Sequence, residues 1–363
     1  MTRIVKAQYG RRLDDFHTGD VYAHPWDVTI DEGMIALFAA SFQDAMPTFA
    51  SRTYAEELGF NARPVHPLLL LNLGLSFSVH DVSEQAIAHL AYIDVRFPEA
   101  CHPGDTVTAS SKVLGVKPSA KGDRGVVEVR TLLVNQKGKI VCRFDRRALV
   151  RAGSVSERPA ASFPAPSQLE PEDTHLPPEL RQKLRAPSRR AGFAGFFEDF
   201  EVGDVFFHSV GKTVGDSEHM QMTQLCRNSH PIHFDEVYCK ESSFAKTRVV
   251  YGGLVLSWVL ALTSRDVAGN ALWDAGLDAG AHPNGTLALD TLYAASRVEA
   301  KEDTHDGAGI VTLRVVGTKN TPPEALYAGG ALFAPELDKS EGKIAQKVVE
   351  ITRKLLIRKR PRG

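Results

Sequence analysis

The chain lacks any long hydrophobic run and carries almost no net charge. No apolar stretch in its 363 residues approaches the roughly 18 needed to span a membrane, and none of the kind found in secretion signals follows Met1. A net charge of -1 offers no basic surface for nucleic acid, while a hydrophobic content of 43% suffices for two substantial cores. We therefore expect a soluble, cytoplasmic protein that has neither nucleic acid nor a membrane as a partner.

Cysteine is scarce, and its spacing fits neither metal binding nor a disulfide framework. The chain has four cysteines, and none of them forms a CxxC pair or a recognisable ligand spacing: Cys101, Cys142, Cys226 and Cys239. Such cysteines are typical of reduced, unpaired thiols in an intracellular protein. The sequence therefore predicts no metal and no cofactor.

Internal similarity is the strongest organisational signal that is present. The sequence Phe-His-Thr-Gly-Asp-Val at 16–21 recurs as Phe-Glu-Val-Gly-Asp-Val at 200–205, an offset of 184. A nine-residue segment beginning Asp-Thr at 105–113 recurs at 290–298, an offset of 185. Two matches whose offsets agree within one residue predict two copies of one structural unit.

A segment of different composition separates the two copies. Residues 154–192 are rich in proline, alanine, serine and charge, without a sustained hydrophobic period, which is typical of a surface linker. The sequence therefore predicts an N-terminal repeat over 1–153, a linker over 154–192 and a C-terminal repeat over 193–363.

Each copy has the pattern of an α+β unit. In the first, helices are predicted at 32–42 and 68–77, the second apolar nearly all round and so buried on every side, followed by strands near 91–97, 106–116, 125–135 and 140–151. In the second, helices are predicted at 217–227 and 253–263, followed by strands near 286–300, 309–318, 325–333 and 348–357. A buried helix wrapped by an antiparallel sheet is the economical packing. The basic tail from Arg353 to Arg362 is predicted to be a solvated strand and a frayed end, with contact to CoA phosphates as the alternative.

The candidate chemistry lies in the second copy. Asn228 and His233 stand five residues apart across Pro231, and Gly252-Gly253 open an apolar run. The amide and imidazole can hold and deprotonate one water. The glycine pair is predicted to begin a buried helix, whose free N–H groups favour a developing oxyanion. A base, a water holder and an oxyanion site together suffice to hydrate an activated double bond.

These motifs resemble a known family. The duplicated buried helix in a curled sheet, the Asn-x-x-Pro-x-His element and the following glycine are similar to the double hot dog fold of MaoC-like (R)-specific enoyl-CoA hydratases. That family usually has Asp-x-Asn-Pro-x-His, so Asn228 stands in place of the aspartate and His230 in place of the asparagine. Chain length, Asn-x-x-x-x-His-Phe and Asp-Thr-x-Tyr-Ala most resemble the mesaconyl-CoA hydratases, also called β-methylmalyl-CoA dehydratases.

The resemblance implies an acyl-CoA substrate and reversible hydration of mesaconyl-CoA to β-methylmalyl-CoA. A substrate of this kind carries a free carboxylate, for which Arg248, just before the glycine pair, is the nearest cation in the sequence. We expect Arg248 and Tyr251, which directly precedes the glycine pair, to bind substrate, although Arg248 is also compatible with a surface position.

Comparison of the copies predicts one active site per chain. With the offset of 184, Asn228 corresponds to Asp44 and His233 to Phe49, so the first copy keeps an acid and lacks the base. Gly252-Gly253 fall opposite His66-Pro67 if one inserted residue is allowed, and proline has no N–H to donate. We therefore expect the first copy to shape the acyl or CoA channel, with Asp44 serving to cap a turn.

Several alternatives stay open at this point. His233 is compatible with a buried core histidine, His230 with a structural or surface role, and the glycine pair with close helix packing alone. Hydration of a different acyl chain, a thioesterase and a noncatalytic acyl-CoA-binding protein are the competing functions, although a thioesterase needs a carboxylate beside the glycine pair, where the sequence has none. Self-association into a homo-oligomer is neither required nor excluded.

Overall fold

A computed structural model describes residues 10–155, 175–181, 195–305, 307–328, 330–336 and 342–361. Most of the predicted linker lies outside these residues. Within them the chain forms ten strands: β1 Val21–Thr29, β2 Ala86–Arg96, β3 Thr106–Pro118, β4 Arg124–Asn135, β5 Ile140–Arg151, β6 Val205–Thr213, β7 Ala271–Ala281, β8 Thr291–His305, β9 Ala308–Lys319 and β10 Lys347–Arg358.

Seven α-helices accompany the strands in the described residues. They are α1 Glu32–Phe42, α2 Pro47–Ala50, α3 Arg52–Glu57, α4 Pro67–Phe77, α5 Asp216–Leu225, α6 Glu236–Ser242 and α7 Gly252–Val267. Every residue of α4 and most of α7 are buried, as their nearly continuous apolar sequences require. No described helix is long and apolar enough to cross a membrane.

The ten strands form one antiparallel sheet built from two halves with the same strand order. The first half runs β1-β3-β4-β5-β2 and the second runs β7-β10-β9-β8-β6, which is the same order reversed. The halves meet where β2 pairs with β7, with Tyr92 opposite Gly280 and Val95 opposite Leu277. The central helices also touch, since the Asn72 side-chain amide donates to Ser257 Oγ across 2.9 Å. The α+β fold is as predicted.

A polar cluster around a buried histidine repeats in the two halves. In the first, His24 lies 2.9 Å from Asp81 and 2.7 Å from Ser111. In the second, His208 lies 2.6 Å from Asp266 and 3.0 Å from Ser296. These residues differ in number by 184, 185 and 185, the offsets found in the sequence. The similarity of the halves therefore extends to individual side-chain contacts.

Two predicted features differ from the structure. The strand predicted near 325–333 is wrong, because the chain there forms 3-10 turns at Pro323–Leu326 and Ala331–Phe333. The predicted solvation of Arg353 is also wrong: this side chain is fully buried on β10, where its Nη2 donates to Asp274 across 2.8 Å. A buried carboxylate at that distance compensates the buried guanidinium.

Candidate active site

A cavity of about 240 Å³ lies between the two halves, beside the start of α7. The second half contributes Asn228, His230, His233 and the segment 249–253 to its wall. The first half contributes the end of α4, the start of β2 and Arg146 from β5. None of the described residues that line the cavity is an aspartate or a glutamate. The cavity is therefore lined by neutral and basic groups, and both halves build it.

The His233 imidazole is held in a defined tautomer. Its Nδ1 lies 2.7 Å from the Val249 carbonyl oxygen, which can only accept, so Nδ1 carries the proton and Nε2 keeps its lone pair. Burial, assisted by the neighbouring His230, lowers the pKa of His233 to about 3. His233 is therefore neutral at physiological pH and can accept a proton through Nε2.

The Asn228 side chain has its amide orientation fixed by the backbone. Its Oδ1 accepts a hydrogen bond from the His230 N–H at 3.0 Å, in the tight turn that precedes Pro231. Because this contact fixes Oδ1 as the acceptor toward the backbone, the Nδ2 hydrogens can donate to a group in the cavity. Asn228 is thus a donor to any group in the cavity, and a water that accepts from it is free to donate its own protons elsewhere.

The glycine pair begins α7, as predicted. Gly252 and Gly253 are its first two residues, so their N–H groups have no intrahelical acceptor, and both residues line the cavity. Neither has a positive φ, so they are glycines for reasons of space. A Cβ on Gly252 would lie 2.9 Å from His282 Nε2, and one on Gly253 would lie 2.2 Å from Asn72 Oδ1. The glycine pair therefore does allow close packing of α7 against its neighbours, which was the alternative explanation for it. The same two residues also present N–H groups beside the cavity.

Two further histidines complete the wall beside the glycines. His282 donates through Nδ1 to the Val348 carbonyl at 3.1 Å and accepts at Nε2 from the Tyr92 hydroxyl at 3.0 Å. His89 contacts the Tyr92 ring, with centroids 4.2 Å apart. Burial lowers the pKa of His282 to about 4 and that of His89 to about 3, so both are neutral. The sequence did not predict either residue, since they come from strands distant from the motif.

Comparison with known proteins identifies the family of this chain. The family model described as mesaconyl-CoA hydratase matches residues 1–331. The chain belongs to the mesaconyl-CoA hydratase family. It is 33% identical over 326 residues to the β-methylmalyl-CoA dehydratase of Chloroflexus aurantiacus, covering 87% of this chain and 90% of that one. It is also 33% identical over 318 residues to the mesaconyl-CoA hydratase of Cereibacter sphaeroides, covering 87% and 91%.

Solved structures agree with this assignment. A MaoC-domain dehydratase of Chloroflexus aurantiacus superposes with a TM-score of 0.83 at 30% identity, covering 99% of this chain and all of that one. A Mycobacterium tuberculosis protein described as having a double hot dog fold superposes with a TM-score of 0.68 at 20% identity, covering 95% and 98%. This hydratase therefore has the double hot dog fold, and its family membership makes it a hydro-lyase.

The two residues expected to bind substrate lie in different places in this hydratase. Tyr251 lines the cavity, and its ring packs 5.4 Å from that of His233. Arg248 is not part of the cavity wall: its Nη2 lies 3.0 Å from Asp216 and its Nε lies 3.2 Å from Glu236. Those two carboxylates neutralise the guanidinium. The structure thus does not bring Arg248 together with the other candidate residues.

The equivalent region of the first half is nearly closed. Phe49, the counterpart of His233, is buried between the rings of His66 and Trp273, at 4.8 and 5.2 Å. Asp44 lies 3.5 Å from His66, and only about 30 Å³ of space remains beside them. The starts of α4 and α7 differ by 185 positions, so Pro67 itself stands opposite Gly252 and His66 opposite Tyr251. This region of the hydratase thus has no histidine at the position of His233 and no backbone N–H at the position of Gly252, and the next N–H, of Leu68, donates to His66 Nδ1.

Proposed function

We propose that this protein catalyses the reversible hydration of mesaconyl-CoA to β-methylmalyl-CoA at the cavity between its halves. The observation that carries the proposal is a neutral His233 with an available Nε2 on the same cavity as the N–H groups of Gly252 and Gly253, which have no intrahelical acceptor. The names of the relatives at 33% identity support the choice of substrate. One site per chain is part of the proposal.

In this reaction the thioester carbonyl, conjugated to the double bond, makes the β-carbon electrophilic. The amide of Asn228 donates to a water, which in turn donates to His233 Nε2. As the water oxygen bonds to the β-carbon, His233 takes its proton and negative charge moves onto the thioester oxygen as an enolate. The N–H groups at the start of α7 stabilise that charge.

The second step returns the proton. When the enolate collapses, the α-carbon takes a proton from the His233 imidazolium, so one water adds across one double bond and the imidazole regains its neutral form. The buried surroundings that lower the pKa of His233 also favour rapid loss of this proton. Dehydration follows the same path in reverse, with His233 removing the α-proton.

A panel of acyl thioesters tests the proposal. Loss of the enoyl-thioester absorbance is followed with mesaconyl-CoA, crotonyl-CoA and tiglyl-CoA, and release of free thiol is measured in parallel. Hydration of mesaconyl-CoA with the highest kcat/KM supports the proposal. Preferred hydration of another thioester supports a different acyl specificity, thiol release indicates a thioesterase, and binding without turnover indicates a noncatalytic acyl-CoA-binding protein.

A thioesterase is the less favoured of these outcomes on chemical grounds. A thioesterase of this fold is expected to activate water with a carboxylate near the thioester carbon, and no acidic side chain is found among the described residues of the cavity wall. A cytoplasmic location is kept in the proposal, supported by four free and buried cysteines. Fractionation tests the location, and size-exclusion chromatography tests self-association.

A further inference from the structure

Arg146 is a buried cation on the cavity wall, and no acidic side chain among the described residues forms an ion pair with it. Its residue surface is only 4% exposed. Its Nη2 donates to Ser78 Oγ at 2.8 Å and lies 3.3 Å from Ser83 Oγ, both neutral acceptors. Burial lowers the pKa of Arg146 to about 10, so the guanidinium still carries its charge at neutral pH. A buried charge without an opposite charge is costly, and proteins generally pair it.

The second half of the protein supplies a matched comparison. Arg146 on β5 lies opposite Tyr92 and Val129 in the sheet register. Arg353 on β10 lies opposite Leu277 and Leu313. These neighbours are related by the repeat offsets of 185 and 184, so Arg353 occupies in the second half the position that Arg146 occupies in the first.

The two arginines differ in their partners. Arg353 Nε and Nη2 both bind Asp274 Oδ2, at 3.0 and 2.8 Å, and the cavity beside it is almost filled. The residue equivalent to Asp274 is His89, since each lies on the matching strand and the two differ by 185. His89 is neutral and its Nε2 donates to the Ala91 carbonyl at 2.8 Å. The fold therefore places a carboxylate beside Arg353, whereas at the equivalent position beside Arg146 it places a neutral histidine and an open cavity.

We propose that Arg146 binds the free carboxylate of a dicarboxylic acyl thioester and so selects this class of substrate. The inference rests on the proposed function, because a mesaconyl group carries such a carboxylate on the carbon that receives the hydroxyl. A guanidinium and a carboxylate form a strong, charge-assisted hydrogen-bonded pair, and the substrate thus supplies the anion that Asp274 supplies to Arg353. Ser78 and Ser83 hold the guanidinium in place.

The first experiment compares two substrates of the same shape. Tiglyl-CoA has a methyl group where mesaconyl-CoA has the carboxylate, so the pair isolates this charge. We expect Arg146→Gln to lower kcat/KM for mesaconyl-CoA about 100-fold or more while changing that for tiglyl-CoA less than about threefold. Equal losses on both thioesters, or an unchanged preference, would overturn the role of Arg146.

A second variant gives Arg146 the acidic neighbour that Arg353 has in the other half. His89→Asp places a carboxylate where Asp274 stands beside Arg353, and it should neutralise Arg146 without removing it. We expect the same selective loss of mesaconyl-CoA hydration, with tiglyl-CoA hydration retained. A His89→Asp variant that keeps the wild-type preference contradicts the proposal, and it does so independently of how well Arg146→Gln folds.

The matched control is Arg248→Gln, which removes an arginine already paired with Asp216 and Glu236 outside the cavity. It should leave the preference between the two thioesters unchanged. Wild-type assays separate the two proposals: if the wild-type protein does not favour mesaconyl-CoA, the proposed function fails. If it does favour mesaconyl-CoA and Arg146→Gln and His89→Asp keep that preference, only the assignment of Arg146 fails.

Discussion

His233 donates its Nδ1 hydrogen to the Val249 carbonyl, and the 2.7 Å contact leaves Nε2 as the proton acceptor on the cavity. Its counterpart Phe49 instead fills space between two aromatic rings. Exchange of either residue for alanine should therefore have opposite effects on activity and on stability. The pair forms an internal control within one chain.

We expect His233→Ala to lower kcat by a factor of about 10² to 10⁴, since it removes the general base, while cooperative unfolding is nearly unchanged. Phe49→Ala should lower the free energy of unfolding by about 3 to 5 kcal/mol and spare kcat. Turnover at saturating mesaconyl-CoA and thermal unfolding at one pH measure both effects. Near-normal turnover of His233→Ala would contradict the single-site proposal, and a catalytic role for Asp44 in the first half would become the leading alternative.

Asn228 is expected to act by donating to the attacking water. Asn228→Ala should reduce kcat by roughly tenfold to a hundredfold, because the water loses the amide donor that orients it. Asn228→Asp can keep the hydrogen bond from the His230 N–H and should retain more activity than the alanine variant. We therefore expect kcat to be higher in both the wild-type protein and Asn228→Asp than in Asn228→Ala. An unchanged kcat in Asn228→Ala would show that Asn228 has no role in the mechanism.

The pH dependence of activity should reflect the lowered pKa of His233. A base must be unprotonated to act, and a pKa near 3 keeps His233 unprotonated far below the ordinary histidine value of 6.5. We therefore expect kcat/KM to stay level from pH 8 down to about pH 5, with no acid limb centred near 6.5. An acid limb centred near 6.5 in the wild-type protein would contradict the assignment.

The two glycines should respond differently to alanine. Gly253→Ala drives a methyl group against the buried Asn72 amide on α4, at 2.2 Å, and should cost about 1 to 3 kcal/mol of unfolding free energy. Gly252→Ala meets the edge of His282 at 2.9 Å, and we expect a smaller loss of stability with a larger loss of kcat. Gly115→Ala has open space around the added methyl and serves as the control. Calorimetry and turnover on the same preparations separate these effects.

The elements with strong local signals were predicted well from the sequence. The helix predicted over 32–42 is α1 itself, where Asp31 accepts a hydrogen bond from Met34 as an N-cap. The start of α7 at Gly252 is within one residue of its predicted position. In both cases a capping residue or an apolar run specifies the element without help from distant residues.

The strand β7 was not predicted, and its packing explains why. Its sequence is rich in alanine, glycine and aspartate, residues that are poor strand formers on their own. At the seam, a Cβ on Gly276 would lie 2.6 Å from the Val95 carbonyl oxygen of β2, and one on Gly280 would lie 2.7 Å from Ile351. Only small residues fit there, because neighbouring strands lie so close. Local hydrophobic periodicity in the sequence does not indicate such contacts between distant residues.

Arg146 was missed for a related reason. Proximity in sequence to the glycine pair favoured Arg248, whereas the arginine on the cavity comes from the other half of the protein. The alignment of the two repeats does contain the signal. It places Arg146 opposite Arg353 and His89 opposite Asp274, so an arginine that loses its acidic partner between copies can be recognised once the repeat is extended through β5 and β10.

The β2 to β7 pairing also determines how a substrate reaches the site. Because the two halves share one sheet, the cavity walls cannot part as the lobes of a hinged enzyme do. Phe244 lines the cavity with 72% of its surface exposed, and its ring lies so close to Gly285 that a Cβ there would be 2.6 Å away. We therefore expect substrate entry and release to involve rotation of this exposed ring, a picosecond to nanosecond motion for exposed side chains, without separation of the two halves.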